Sequence, residues 1–425
     1  MTRKLSSVVA IAALAAVLIL AVAAFSIMWN PAIAPVSEPQ PSSFDTPLRR
    51  EGARIVALGD CVVCHTAKDG KPFAGGLPLA TPFGTIYATN ITPDPETGIG
   101  AWTLDAFKRA LRHGISRDGH VLYPAFPYIH FTRMSDHDIG AAYAYLMTRD
   151  PVRATTPDNK LIFPLDFRPL VAFWNVMFLR PGERTADTSQ DEQWNRGRML
   201  IDGLGHCASC HTPLNFIGGE KHNRAFDGGV VDGWDAPPLN QLANAVKPWT
   251  KEQLVTYLRT GRASEHGAAA GPMLPVTRDL GTVPLADVEA IATYILSIQQ
   301  PPQTYPAKSA TMSASAERGA VIFNGSCASC HGTGSPMQTV GGRPTLAFST
   351  AVNADSPRNA IQMLMVGIAW HGEETINYMP AFGPVFNDSQ LADLATYLRD
   401  NYSQRPAWSD VGETAKKIRK ENDAR

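Results

Sequence analysis

No cysteine of this chain stands outside a Cys-x-x-Cys-His motif. All six fall in three copies, Cys61-Val-Val-Cys64-His65, Cys207-Ala-Ser-Cys210-His211 and Cys327-Ala-Ser-Cys330-His331. With none left over, no structural disulfide is expected, and a disulfide framework belongs to smaller, loop-rich secreted chains. A structural zinc site needs a second ligand pair at short range, and the copies lie well over a hundred residues apart. An excess of charge is also lacking. Lys and Arg number 38 against 39 Asp and Glu, and charged residues make up 18% of the chain. There is no basic footprint for a nucleic-acid partner. Nor does any catalytic acid, base or nucleophile stand out: His113, His120, His137 and His266 read as surface or loop residues.

What is present is the attachment signature of c-type haem. Two thiols add across the vinyl groups of one porphyrin, and the adjacent histidine ligates the iron. A thioredoxin-like redox pair uses Cys-x-x-Cys too, but needs neither the histidine nor three copies. Three copies imply three covalent haems, held by Cys61 and Cys64, by Cys207 and Cys210, and by Cys327 and Cys330. His65, His211 and His331 are the proximal iron ligands. Three such cofactors imply electron transfer.

At 425 residues the chain allows two to four domains. Its 34 Gly and 33 Pro suit a loop-rich fold around large prosthetic groups. One uncharged apolar run, Val8 to Trp29, follows Arg3 and Lys4. It is long enough to span a bilayer, and the basic flank predicts a cytoplasmic N-terminus with the rest translocated. Ala21-Val-Ala23 offers a small-residue cleavage site, so residues 1–30 are a signal peptide or an uncleaved anchor; the anchor reading is preferred. The polar stretch from Asn30 to Arg49 is expected to lift the first domain off the membrane.

Beyond residue 45 one unit recurs three times. Each copy opens with an apolar helical pattern ahead of its motif: Gly52-Ala-Arg-Ile-Val-Ala-Leu, Arg196-Gly-Arg-Met-Leu-Ile and Arg318-Gly-Ala-Val-Ile-Phe. Each closes with an amphipathic helix of i, i+3, i+4 spacing, beginning near Asp138, Leu285 and Leu391. Middle helices run from Trp102 to Gly114 and from Trp249 to Gly261, with Thr as N-cap and Gly as C-cap; a weaker version spans Ala360 to Gly367. Three helices around one haem is the arrangement of a small class I cytochrome c domain. The fold expected is mainly α, with three tandem class I cytochrome c domains (45–150, 191–300 and 313–405) behind an N-terminal membrane anchor. The linker 151–190 is too apolar for a free tether and is expected to pack across the first two domains. Gln299 to Ser315 reads as a Pro- and Ser-rich extended linker, and 406–425 as a solvated charged tail, with Val411, Ala415 and Ile418 on one face of any short helix it forms.

A methionine opposite the histidine raises a haem's potential. In the loops before the closing helices, Met273 in Ala270-Gly-Pro-Met-Leu-Pro and Met379 in Tyr378-Met-Pro-Ala-Phe fit that role. The equivalent loop of the first copy reads Leu122-Tyr-Pro-Ala-Phe126-Pro-Tyr. Phenylalanine cannot ligate iron, which leaves His130, Met134 or no distal ligand at the first haem.

The segment Thr81-Pro-Phe-Gly-Thr-Ile-Tyr-Ala-Thr-Asn-Ile-Thr-Pro-Asp-Pro-Glu-Thr-Gly-Ile-Gly100, with Leu122-Tyr-Pro-Ala-Phe-Pro-Tyr128 and His206-Cys-Ala-Ser-Cys-His-Thr-Pro213, resembles the three-haem cytochrome c subunits of membrane-bound bacterial dehydrogenases. The resemblance runs from about residue 50 to 405. It implies the haem ligation above, with Met273 and Met379 axial. It also implies a separate catalytic subunit as electron donor, and a quinone, another cytochrome or a terminal oxidase as acceptor, on the periplasmic face of the bacterial inner membrane. Alcohol, gluconate and fructose dehydrogenase cytochromes usually carry Met where Phe126 stands. The Tyr-Pro-Ala-Phe-Pro-Tyr form looks closer to cytochromes paired with molybdenum hydroxylases than with quinoproteins or flavoproteins. Two other readings stand beside this one: a haem enzyme of peroxidase or reductase type using an open first haem, and a freestanding membrane-tethered shuttle.

Overall fold

The computed structural model describes residues 2–301, 303–306, 308, 311–336, 344–368 and 379–423, with residues 2–10 as backbone only. Among the described residues helices dominate, and the strands form one three-stranded and two two-stranded antiparallel sheets. The chain divides into two compact units: residues 1–185 with 202–206, and residues 186–201 with 207–425. The first copy of the repeat lies in the first unit; the third copy and all of the second but residues 202–206 lie in the second unit.

In the first unit the apolar run is one helix, α1 (Thr2–Met28). Its Ile11–Met28 portion has mean hydropathy 2.8 and no buried residue, so it meets the length and composition of a membrane span. The opening helix α2 (Thr46–Leu58) starts where the Asp45 side chain accepts the Leu48 N–H at 2.7 Å. A hairpin of β1 (Pro78–Thr81) and β2 (Gly84–Tyr87) follows the haem motif. The middle helix α3 (Leu104–His113) is capped by Thr103 and ends at left-handed Gly114, as its sequence pattern predicts. The closing helix α4 (Asp136–Leu146) crosses α2. The crossing point is Gly52, where a Cβ would stand 2.0 Å from the Ala141 carbonyl oxygen. Only glycine allows the two backbones that close.

The second unit repeats the device twice. Its opening helices are α6 (Glu192–Met199) and α10 (Ala314–Ser326); its closing helices are α9 (Leu285–Ser297) and α12 (Asp388–Tyr402). Gly197 meets the Ala290 oxygen at 2.0 Å and Gly319 the Asp393 oxygen at 2.1 Å, each counted from a Cβ that glycine lacks. Four residues beyond each of those carbonyls a tyrosine, Tyr145, Tyr294 or Tyr397, lays its Cβ against the same glycine. Between these helices come α7 (Lys251–Thr260), α8 (Met273–Thr282) and α11 (Arg358–Val366). The second and third copies are joined by hydrogen bonds. Asp235 N–H donates to Asn359 Oδ1 at 2.9 Å, Asn359 Nδ2 donates back to the Asp235 oxygen, and Gln362 and Arg358 both donate to the Gly233 carbonyl.

Two segments differ from expectation, the one after α1 and the tail; the linker bonds to both neighbouring copies, through Asn175 to Tyr128 and through Arg184 to Asp202 at 2.8 Å. Residues after α1 are no spacer: Ile33 N–H donates to the Arg117 oxygen at 2.8 Å, Val36 N–H to the Ala101 oxygen, and Arg109 reaches the Pro31 oxygen at 2.7 Å. Their unmet backbone groups are satisfied by the first copy itself. The apolar linker pairs β3 (Lys160–Leu161) with β2, and places α5 (Val171–Phe178) against the first copy. There Asn175 accepts from Tyr128 at 2.6 Å and the Leu165 oxygen accepts from Tyr123. The tail is a packed helix, α13 (Val411–Asp423), and not a solvated segment. Ala415 and Ile418 are wholly buried in the third core, and Arg419 donates to the Gly383 and Phe386 oxygens. Of the linker from Gln299 to Ser315, residues 302, 307, 309 and 310 lie outside the described residues, as does Tyr378 beside Met379.

Candidate haem centres

In every copy the motif coils into one helical turn. The histidine N–H donates to the oxygen of the first cysteine, at 3.0 Å for His65 to Cys61, 3.0 Å for His211 to Cys207 and 2.9 Å for His331 to Cys327. A turn of this kind puts residues i and i+3 on one face. Both thiols therefore present to the same side, with the imidazole next in line. This is the local geometry that a porphyrin bonded at two vinyl groups and ligated from below requires.

The imidazoles are also oriented. His65 Nδ1 lies 2.6 Å from the Thr89 carbonyl oxygen, and His211 Nδ1 lies 2.6 Å from that of Pro237. A carbonyl can only accept, so Nδ1 carries the proton and Nε2 keeps its lone pair for a metal. Such a partner fixes both tautomer and ring plane. Burial pushes both imidazoles below their ordinary pKa, and the carbonyl bonds only partly offset it. Neutral rings result, the form that ligates iron.

The third copy shows the cradle itself. A cleft of about 950 Å³, open to solvent, is lined by Cys327, His331 and Met379 together with Leu364, Ile368 and Leu394. One thiol, one imidazole and one thioether share a mostly apolar cavity, a donor set that fits haem c. Met379 is held there by two backbone hydrogen bonds with Ile368, at 2.9 and 3.0 Å. The cleft is also lined by Arg262 and Gly267. They come from the hairpin of β4 (Arg262–Ala263) and β5 (Gly267–Ala268) in the second copy.

The remaining expected residues are placed as follows. Cys61, Cys207, Cys210 and Cys330 are half-buried, Cys64 is exposed and Cys327 is buried. Met273 is half-buried and begins α8, just after Gly271, whose missing Cβ would sit 2.4 Å from the Trp234 ring. In the first copy Phe126 packs on Tyr128 and Phe131. Met134 is buried, and His130 Nδ1 lies 3.0 Å from the Asp202 oxygen. His113, His120 and His137 are exposed as expected, whereas His266 is 2% exposed. His266 stacks on Trp249 with ring centroids 3.6 Å apart. The Thr89 and Pro237 acceptors were not foreseen, since a backbone carbonyl leaves no residue signature. Pro237-Pro-Leu and Pro344-Thr-Leu, one after each of the later motifs, are the nearest to a signal, and Pro344 lines the third cleft.

The sequence is similar to those of known cytochromes. The family model described as cytochrome c oxidase, cbb3-type, subunit III matches residues 314–398. The chain is 45% identical to a nicotinate dehydrogenase subunit of Pseudomonas putida over 401 residues, which is 93% of this chain and 34% of that protein. It thus spans about a third of that relative's length. It is 34% identical to the fructose dehydrogenase cytochrome subunit of Gluconobacter japonicus, covering 87% of this chain and 82% of that one. With the gluconate 2-dehydrogenase cytochrome c subunit of Pantoea cypripedii it shares 36%, over 84% and 86% of the two chains. The chain is a cytochrome c, an electron-transfer protein and not a catalytic subunit. It belongs to the family of cytochrome c subunits of bacterial dehydrogenases.

Proposed function

We propose that the chain carries three covalent c-type haems and relays electrons from a dehydrogenase catalytic subunit to the respiratory chain, at the periplasmic face of the bacterial inner membrane. The observation that carries this reading is the threefold recurrence of one helical Cys-x-x-Cys-His turn beside one Gly–Tyr helix crossing. Cys61 with Cys64, Cys207 with Cys210, and Cys327 with Cys330 would hold the porphyrins. His65, His211 and His331 would bind iron, Met273 and Met379 would supply a second iron ligand in the second and third copies, and in the first that role is left to His130, Met134 or none. A haem bound there supplies a one-electron carrier.

The chain's own residues do the rest. The Thr89 and Pro237 carbonyls hold Nδ1 protons and so aim Nε2. Leu364, Ile368 and Leu394 give the third cleft its apolar wall. Three helix crossings locked at glycine keep the motifs fixed, which short electron transfers need. The preferred donor is a molybdenum hydroxylase, because the Tyr123–Tyr128 loop departs from the alcohol dehydrogenase pattern and because a nicotinate dehydrogenase subunit is among the relatives. The acceptor is a quinone, a cytochrome or a terminal oxidase, and α1 is the anchor.

The test is mass spectrometry of the mature protein made in a host competent for haem attachment. Three added tetrapyrroles, with residues 1–30 retained, are the expected result. Two or fewer would reject the three-haem relay. Affinity isolation from the native membrane should bring down a molybdenum-containing subunit; a flavin or quinoprotein subunit in its place would correct the donor.

A further inference from the structure

The linker carries an apolar surface that no neighbour within its unit covers. Ile162, Phe163, Phe167, Phe173, Val176 and Met177 are all exposed, Phe163 at 87%. Residues 161–179 hold only Asp166 and Arg168 as charges, and exposed Lys160 and Arg180 bracket them. Patches of this kind on soluble surfaces mark an interaction site.

Its position indicates the occupant. Met28, the last residue of α1, packs against Val171 and Ala172 in the first turn of α5. The chain beyond Met28 has no slack, since Pro31, Ile33 and Val36 are tied to the first copy. The end of the span and the start of α5 are therefore in contact, and α5 sits where α1 leaves the hydrocarbon. Trp29 is 59% exposed at the same level, stacked on Phe25. Aromatic rings concentrate at that depth, and apolar faces with flanking cations lie in the interface plane.

We propose that this linker face is a second membrane contact, seated in the headgroup and upper acyl region of the bilayer that α1 crosses. Phe163, Phe167 and Phe173 are its wedges, and Lys160 and Arg180 meet the lipid phosphates. The proposal rests on the anchor reading of α1. It holds the first copy to the membrane at two points instead of letting it swing on a tether.

The test uses the full haem-loaded chain in lipid nanodiscs, with nitroxide labels on Phe163→Cys, Phe173→Cys, Val321→Cys and Leu18→Cys variants. The readout is collision with oxygen against collision with a water-soluble nickel chelate. Labels at 163 and 173 should favour oxygen several-fold over the label at 321, which replaces a 74% exposed valine of the second unit. If 18 is immersed while 163 and 173 meet nickel as freely as 321, the proposal is overturned. It is overturned as well if 163 becomes shielded only when a catalytic subunit is added, since the patch is then a protein interface. Should residue 18 be missing from the mature chain, the anchor reading fails by itself. The patch is then tested by vesicle flotation of the cleaved holoprotein: flotation lost on Phe163→Asp supports it, and no flotation overturns it.

Discussion

Gly319 lies directly beneath the carbonyl oxygen of Asp393, so close that a Cβ on it would stand 2.1 Å from that atom. The opening and closing helices of the third copy cross there, and Tyr397 closes the gap from the side. Gly319→Ala must part the helices and should destabilise the second unit by about 1–3 kcal/mol, the usual cost of overpacking a fixed core. Gly325→Ala, on the same helix but with nothing from outside its own helical turn within 4 Å of its Cβ position among the described residues, should be neutral or stabilising by up to about 1 kcal/mol. Thermal unfolding of the holoprotein variants checks both.

Beside that crossing, Arg318 donates to both oxygens of Asp393 at 2.8 Å, and Ser315 adds a third bond. Burial alone would raise the Asp393 pKa, but these bonds outweigh it and hold it below the ordinary 3.8. A depressed carboxylate contributes stability that is present above 3.8 and lost as pH falls through the lower folded value. Arg318→Met removes two donors, so acid unfolding of the second unit should begin at higher pH. An unmoved acid midpoint would show the pair to be energetically silent.

Met379 sits in the cleft that Cys327 and His331 share. Met379→Ala should open one haem to carbon monoxide without changing the haem count, and Met379→His should lower one midpoint potential while sparing the others. Spectra of the reduced, carbon monoxide-treated protein and a redox titration read these effects. In the unaltered protein the same titration addresses the first copy, where Phe126 packs on Tyr128 and Phe131. A high-spin ferrous haem that binds carbon monoxide there would show that the first haem has no distal ligand. Its absence points to His130 or Met134 as ligand, and His130→Ala and Met134→Ala tell the two apart.

The haem motifs, the opening and closing helices and the Thr and Gly caps were legible because each is a local pattern: fixed spacing, i, i+4 periodicity, a capping side chain. What escaped depends on contacts distant in sequence. The Thr89 and Pro237 acceptors are main-chain atoms. The docking of Pro31, Ile33 and Val36 is made by backbone groups of a polar-looking segment. The burial of α13 follows from two apolar residues, Ala415 and Ile418, in a strongly charged stretch. A one-sided stripe tells that a helix has a face to hide, but not that its own third core will take it.

His266 was read as a loop histidine, and it is one, but its ring is buried under Trp249 and neither nitrogen has a hydrogen-bond partner among the described residues. Its carbonyl accepts from Thr350 of the third copy, so the ring lies at the junction of the two copies. Burial lowers its pKa from 6.5 to about 4; Lys247 pushes the same way and Glu265 opposes. Between those values the unfolded chain binds a proton that the folded chain refuses. The stability is therefore complete above pH 6.5 and lost as pH falls toward 4. A shift of this size bounds the loss at about 3 kcal/mol. His266→Phe keeps a ring on Trp249 and removes the titration. Its second unit should lose less Tm than wild type between pH 7 and pH 5, and equal slopes would show that the buried imidazole is not what makes the second unit acid-sensitive.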